Sequence, residues 1–133
     1  MILLDTSAVL GYLQREPGWE TIEAVIAAEE ATSSVVNQTE VLGKLSDWGM
    51  DGPIAQQTLN KLALRCEPFS DITALEAAKL RPMTRAIGLS LGDRACLATA
   101  GLRQRPVLTA NRPWLVLASE LGLSITSFRP AKH

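Results

Sequence analysis

The sequence has a single histidine, His133, at its very end. That excludes histidine-dependent triads and argues against a histidine-ligated zinc site, so any catalysis must run on carboxylates, hydroxyls and arginines. Cysteine is almost as scarce: Cys66 and Cys96 lie thirty residues apart in apolar stretches. Both read as small buried hydrophobes of a reducing compartment, which makes the cytoplasm the default. No apolar run approaches the length of a membrane span, and an acid at position 5 argues against a signal peptide. Internal repeats, low-complexity tracts and linkers are absent. Aromatics make up 5% of the chain, and Trp19, Trp48 and Trp114 are expected in core or interface packing rather than as base-stacking platforms.

Nor is there a strong net charge: the formal value of −1 gives no global pull toward nucleic acid. Its distribution is uneven. Residues 1–66 hold nine acids and four bases, whereas residues 67–133 hold five acids and nine bases, Arg81, Arg85, Arg94, Arg103, Arg105, Arg112 and Arg129 among them. Such asymmetry permits a local phosphate-binding face, although a solvated surface explains most of these side chains. With 133 residues, 47% hydrophobic and 20% charged, the chain fits one globular domain over residues 1–128, with a loose tail over 129–133.

The apolar run Met1-Ile2-Leu3-Leu4 ends abruptly in Asp5-Thr6-Ser7. Such a run suits a strand buried on both faces, and places Asp5 at its carboxyl end, where open α/β sheets hold their ligands. Asp5 could equally serve the cap of the next helix, expected over residues 8–14 with Thr6 or Ser7 capping. Further helices are expected over residues 19–30, 37–48, 53–65, 71–80, 94–103 and 112–121, with strands over 31–36, 66–69, 106–109 and 124–128. Asn37 and Glu40 have the form of a capping box. Pro82 and Gly88 interrupt the pattern, and Ser70 or Asp71 reads as the cap of the helix that ends near Leu80. This alternation predicts an α/β domain with a parallel sheet.

Four polar positions then recur at equivalent places: Asp5, Glu40, Asp93 and Asn111 each follow a strand or open a helix. In a parallel sheet those places share one edge, so the carboxylates can converge. Clustered carboxylates repel and commonly hold a cation, and oxygen-only ligands select Mg²⁺ or Mn²⁺. Phosphodiester hydrolysis is the chemistry that fits. Plain helix capping is the competing account.

At these residues the sequence resembles a known family. The stretch from Met1 to Ala8, Glu40, the segment Leu89-Ser90-Leu91-Gly92-Asp93-Arg94-Ala95-Cys96-Leu97-Ala98, and Leu108-Thr109-Ala110-Asn111-Arg112-Pro113-Trp114 are similar to the PIN-domain toxins of the VapC type. The resemblance implies a three-layer α/β/α fold with a parallel sheet of about five strands. It also implies a Mg²⁺- or Mn²⁺-dependent endoribonuclease, the toxin of a type II toxin–antitoxin pair, commonly a homodimer silenced by a small VapB-type antitoxin. Carried onto this chain, Asp5, Glu40 and Asp93 become catalytic and metal-binding, with Asn111 standing where the family commonly has Asp. An amide oxygen can still coordinate a cation but brings no charge. Asp5 and Asp93 are expected to bind the metal, and Glu40 to hold or deprotonate the attacking water. Thr6, Ser7 and Ser90 would orient carboxylates or cap helices, and Arg94 and Arg112 would hold substrate phosphates or pair with a neighbouring acid. Residues 48–64 offer a dimer or antitoxin surface, or ordinary core. The rival functions are an RNA- or protein-binding module that no longer cuts, favoured by Asn111, and, more remotely, a phosphatase or phospho-acceptor domain using Asp5. Ser7 stands where the phosphatase pattern expects a second Asp, and this N-terminus has no room for the acidic pair of a receiver domain.

Overall fold

The computed structural model describes residues 1–131; the end of the expected tail, including His133, lies outside the described residues. Five strands form one wholly parallel sheet in the order β3-β2-β1-β4-β5. They are β1 (Ile2–Leu4), β2 (Ala31–Ser34), β3 (Arg65–Glu67), β4 (Val107–Thr109) and β5 (Ile125–Ser127). The helices are α1 (Thr6–Leu13), α2 (Trp19–Ala27), α3 (Val35–Asp47), α4 (Gly52–Asn60), α5 (Asp71–Thr84), α6 (Leu91–Arg103) and α7 (Leu117–Leu121), the last preceded by a 3₁₀ helix, Arg112–Val116.

Successive strand residues point to opposite faces, and β1 shows why the sheet is covered on both. Leu4 joins Val9, Ile22, Val41, Leu45 and Leu59 of α1–α4 on one side. Leu3 joins Cys96, Leu97, Trp114 and Leu117 of α6, the 3₁₀ helix and α7 on the other. Both leucines are fully buried. The three-layer α/β/α expectation is thus met. The chain runs β1, β2, β3 outward, then returns to β4 on the far side of β1. The carboxyl ends of β1 and β4 therefore flank the point where the winding reverses, which is where such sheets open a crevice.

Several boundaries differ from expectation. β2 ends at Ser34, whose hydroxyl accepts the Val36 amide and caps α3, so Val35 and Val36 are helical. Asn37 and Glu40 consequently lie inside α3, and the expected capping box does not form. Asp5, not Thr6 or Ser7, caps α1 by accepting the Ala8 amide. Ser70, not Asp71, caps α5. α5 continues through Pro82, which sits in its last turn, and the chain turns away only at Gly88, with φ +75°. Cys66 is exposed on edge strand β3, contrary to its reading as a buried hydrophobe, whereas Cys96 is buried. Of the tryptophans only Trp114 is core. Trp48 is 43% exposed, and Trp19 is half-buried with Arg15 stacked 4.3 Å above its ring.

The start of the expected loose tail is tied down. Arg129 pairs with Glu16 at 2.7 Å, and Arg112 Nη2 donates to the Pro130 carbonyl at 2.7 Å. Phe128 packs on the bare backbone of Gly11 and Gly18 between α1 and α2. Among the described residues no helix is long and apolar enough to cross a membrane.

Candidate active site

Asp5 leaves the central strand directly into the cap of α1 and is 1% exposed. Its Oδ1 accepts the Ala8 amide at 2.8 Å and the Ser7 hydroxyl at 2.8 Å. Oδ2 accepts the Thr109 hydroxyl at 2.6 Å. Those hydroxyls are themselves fixed: Ser7 Oγ accepts the Ala110 amide at 2.9 Å, and Thr109 Oγ1 the Asn111 amide at 3.0 Å. The loop after β4 thereby locks the carboxylate through two side chains. Burial raises the Asp5 pKa from 3.8 to about 6, against these hydrogen bonds, and the nearby charge of Asp93 adds to the rise.

Glu40 reaches the same place from α3. Its Oε1 accepts Thr6 Oγ1 at 2.5 Å and Asn37 Nδ2 at 3.3 Å. Asn37 Nδ2 also donates to Thr6 Oγ1 at 2.9 Å and to the Gly92 carbonyl at 3.3 Å, joining α1, α3 and α6. The carboxylate lies against the backbone of Gly92: a Cβ there would come within 2.1 to 2.4 Å of its three atoms. Asp93, the next residue, closes a true capping box, its Oδ2 accepting the Ser90 amide at 3.0 Å while Ser90 Oγ accepts its own amide at 3.1 Å. Beneath them Cys96 is wholly buried, and Asp5, Asp93 and Glu40 all push its thiol pKa further up. All three acids therefore lie near enough to this thiol to act on it. Asp93 and Asn111 line a common cleft of about 210 Å³ with Gly88, Leu89 and Trp114.

The donor set suits a hard cation. The ligand atoms are all oxygen, and the four ion pairs among the described residues involve none of Asp5, Glu40 and Asp93. Asn37 Oδ1 is buried with no hydrogen-bond partner. Among the described residues no three acidic side chains close on a single ion. Mg²⁺ commonly takes one or two carboxylates and completes its shell with waters.

Thr6 and Ser7 orient Glu40 and Asp5, one of the roles expected of them. The two arginines are placed differently. Arg94 turns onto α5, its Nη1 donating to the Ala77 carbonyl at 3.4 Å, with Nε buried and unpartnered. Arg112 is spent on the tail carbonyls of Arg129 and Pro130. Neither pairs with a neighbouring acid among the described residues. Sequence reasoning missed Thr109, Asn37 as a positioning residue, and the need for Gly92. Thr109 carried a signal, a hydroxyl closing a strand, but its use depends on β4 lying beside β1.

A family model described as PIN domain matches residues 2–118. No curated protein matches the sequence. Among solved structures, the chain is similar to one of a toxin–antitoxin complex from Klebsiella pneumoniae, at 20% identity and a TM-score of 0.71, covering 98% of this chain and 100% of that one. It is also similar to one of VapBC2 from Rickettsia felis bound to a promoter DNA fragment, at 16% identity and a TM-score of 0.74, covering 96% and 98%. A third is from DNA-bound VapBC of Salmonella typhimurium, at 15% identity and a TM-score of 0.71, covering 96% and 99%.

Proposed function

The chain belongs to the PIN-domain family, and from that membership and its site we propose that it is a divalent-metal-dependent endoribonuclease, the toxin of a type II toxin–antitoxin pair. The observation that carries the reading is that Asp5, Glu40 and Asp93 all lie near enough to the buried Cys96 to act on its thiol, with none of the three in an ion pair among the described residues.

Asp5 and Asp93 would hold Mg²⁺ or Mn²⁺, and the Asn111 amide shares the cleft of Asp93. When bound, such an ion acidifies water and offsets charge developing on a phosphoryl group. The chain's own residues do the rest. Ser7 and Thr109 keep Asp5 in one orientation, and the Ser90 backbone amide does so for Asp93. Thr6 and Asn37 fix Glu40 through Oε1, leaving Oε2 to take the proton of the attacking water. Water oxygen bonds to phosphorus, the bond to the 3′ oxygen breaks, that oxygen takes a proton from solvent, and a 5′-phosphate and a 3′-hydroxyl result. The partner by this reading is a VapB-type antitoxin, since the similar structures from Rickettsia felis and Salmonella typhimurium are of VapBC assemblies. A homodimer is the proposed assembly.

Asn111 favours a second reading, a PIN-like module that binds RNA or protein without cutting. The two are separated by induced expression in a host lacking the antitoxin. The toxin reading expects growth arrest with fragmented RNA, abolished by Asp93→Asn. Unimpaired growth with intact RNA at full expression supports the binding module.

A further inference from the structure

The acid cluster itself repels phosphate, so an RNA strand needs cations beside it, and the two arginines nearest in sequence are otherwise engaged. The same holds for most of the basic half. Arg103 and Arg105 are drawn to buried Glu67, Arg129 to Glu16, and Lys79 to Glu76. Arg81 and Arg85 alone among the arginines of that half have no ion-pair or hydrogen-bond partner among the described residues, and both are exposed. They lie four residues apart in and just beyond the last turn of α5, so they share one face.

Their position gives the pair a direction. Arg81, Thr84 and Arg85 line a cleft of about 210 Å³ with Gly88 and Leu89. Gly88 and Leu89 are also the wall of the cleft that holds Asp93 and Asn111. Between the two stands Gly88, where even an added Cβ would meet no atom within 4 Å. The basic cleft and the acidic one thus share a wall, Gly88 and Leu89.

We propose that Arg81 and Arg85 form a backbone rail for single-stranded RNA, gripping phosphates of the strand that crosses Gly88 into the acid cluster. Guanidinium forks match phosphate oxygens, and such contacts position a strand without reading its sequence. The inference rests on the ribonuclease reading above. The bland account is that two arginines merely complement the carboxyl end of α5.

The test is steady-state cleavage of an RNA oligonucleotide in Mg²⁺ over a series of KCl concentrations. Wild type is compared with Arg81→Gln/Arg85→Gln and with Arg81→Lys/Arg85→Lys. The neutral pair should raise KM about tenfold with kcat retained, and lower the slope of log KM against log salt by about 1.4, from two phosphate contacts. The lysine pair should restore most of the slope, and a dinucleotide too short to reach the arginines should show no change. A neutral pair with wild-type KM and slope overturns the rail alone. A wild-type protein that cuts no RNA overturns both rail and ribonuclease.

Discussion

Asp5 is an ionisable group held by three neutral donors, in a position 1% exposed, with no ion-pair partner among the described residues. Its folded pKa of about 6 lies above the ordinary 3.8, so the folded chain holds that proton more tightly than the unfolded one. The stability this group contributes is full below pH 3.8 and is lost as pH rises through 6. The loss is on the order of 3 kcal/mol. Urea unfolding of metal-free protein should therefore show a decline between those limits that Asp5→Asn flattens. At neutral pH, Mg²⁺ should raise the unfolding midpoint of wild type and not of the variant, because an ion bound only by the folded state stabilises it. Asn111 works in the opposite sense. Asn111→Asp adds a charge to the cleft of Asp93 and should tighten Mn²⁺ binding severalfold by calorimetry. Unchanged affinity would place Asn111 outside the ion's reach.

At the scale of elements, the site depends on how closely α3 approaches α6. Gly92 permits that approach, since Glu40 occupies the space of its missing side chain. Gly92→Ala should displace Glu40 and lower kcat at least about tenfold. Helix propensity favours Ala by about 1 kcal/mol, so the unfolding midpoint should move little. A fall in both together would instead mean that α6 itself had shifted. The elements also show what the sequence disclosed. The strand-then-acid pattern at Asp5 and the capping role open to Ser90 were legible because each is local chemistry. The start of α3 was not, because Val35 and Val36 are strand formers by propensity that the Ser34 cap draws into a helix. Asn37 thereby changed from cap to the tie between three helices.

At the scale of the whole molecule, the sheet order does what no single segment reveals. It sets β4 against β1, which brings Thr109 to Asp5 and Asn111 to the cleft of Asp93. Alternation of strands and helices announced a parallel sheet, but not which neighbour β1 would take. Closure of the chain rests on a similar long-range contact. Gly18 adopts φ +94°, and an added Cβ would fall 2.0 Å from the Phe128 carbonyl oxygen. Gly18→Ala should cost roughly 1–3 kcal/mol from the backbone conformation alone, and more from the collision, read by thermal unfolding.

The most direct test of the account uses purified, antitoxin-free protein on total RNA and defined oligonucleotides. Wild type, Asp5→Asn, Glu40→Gln and Asp93→Asn are compared in Mg²⁺, Mn²⁺ and EDTA, with folding checked by circular dichroism. The account predicts discrete cuts bearing 5′-phosphates, dependent on the metal, and reduced at least about a hundredfold in each folded variant. Cleavage that survives EDTA or the loss of these acids would contradict it, as would folded, metal-loaded wild type that leaves every RNA intact.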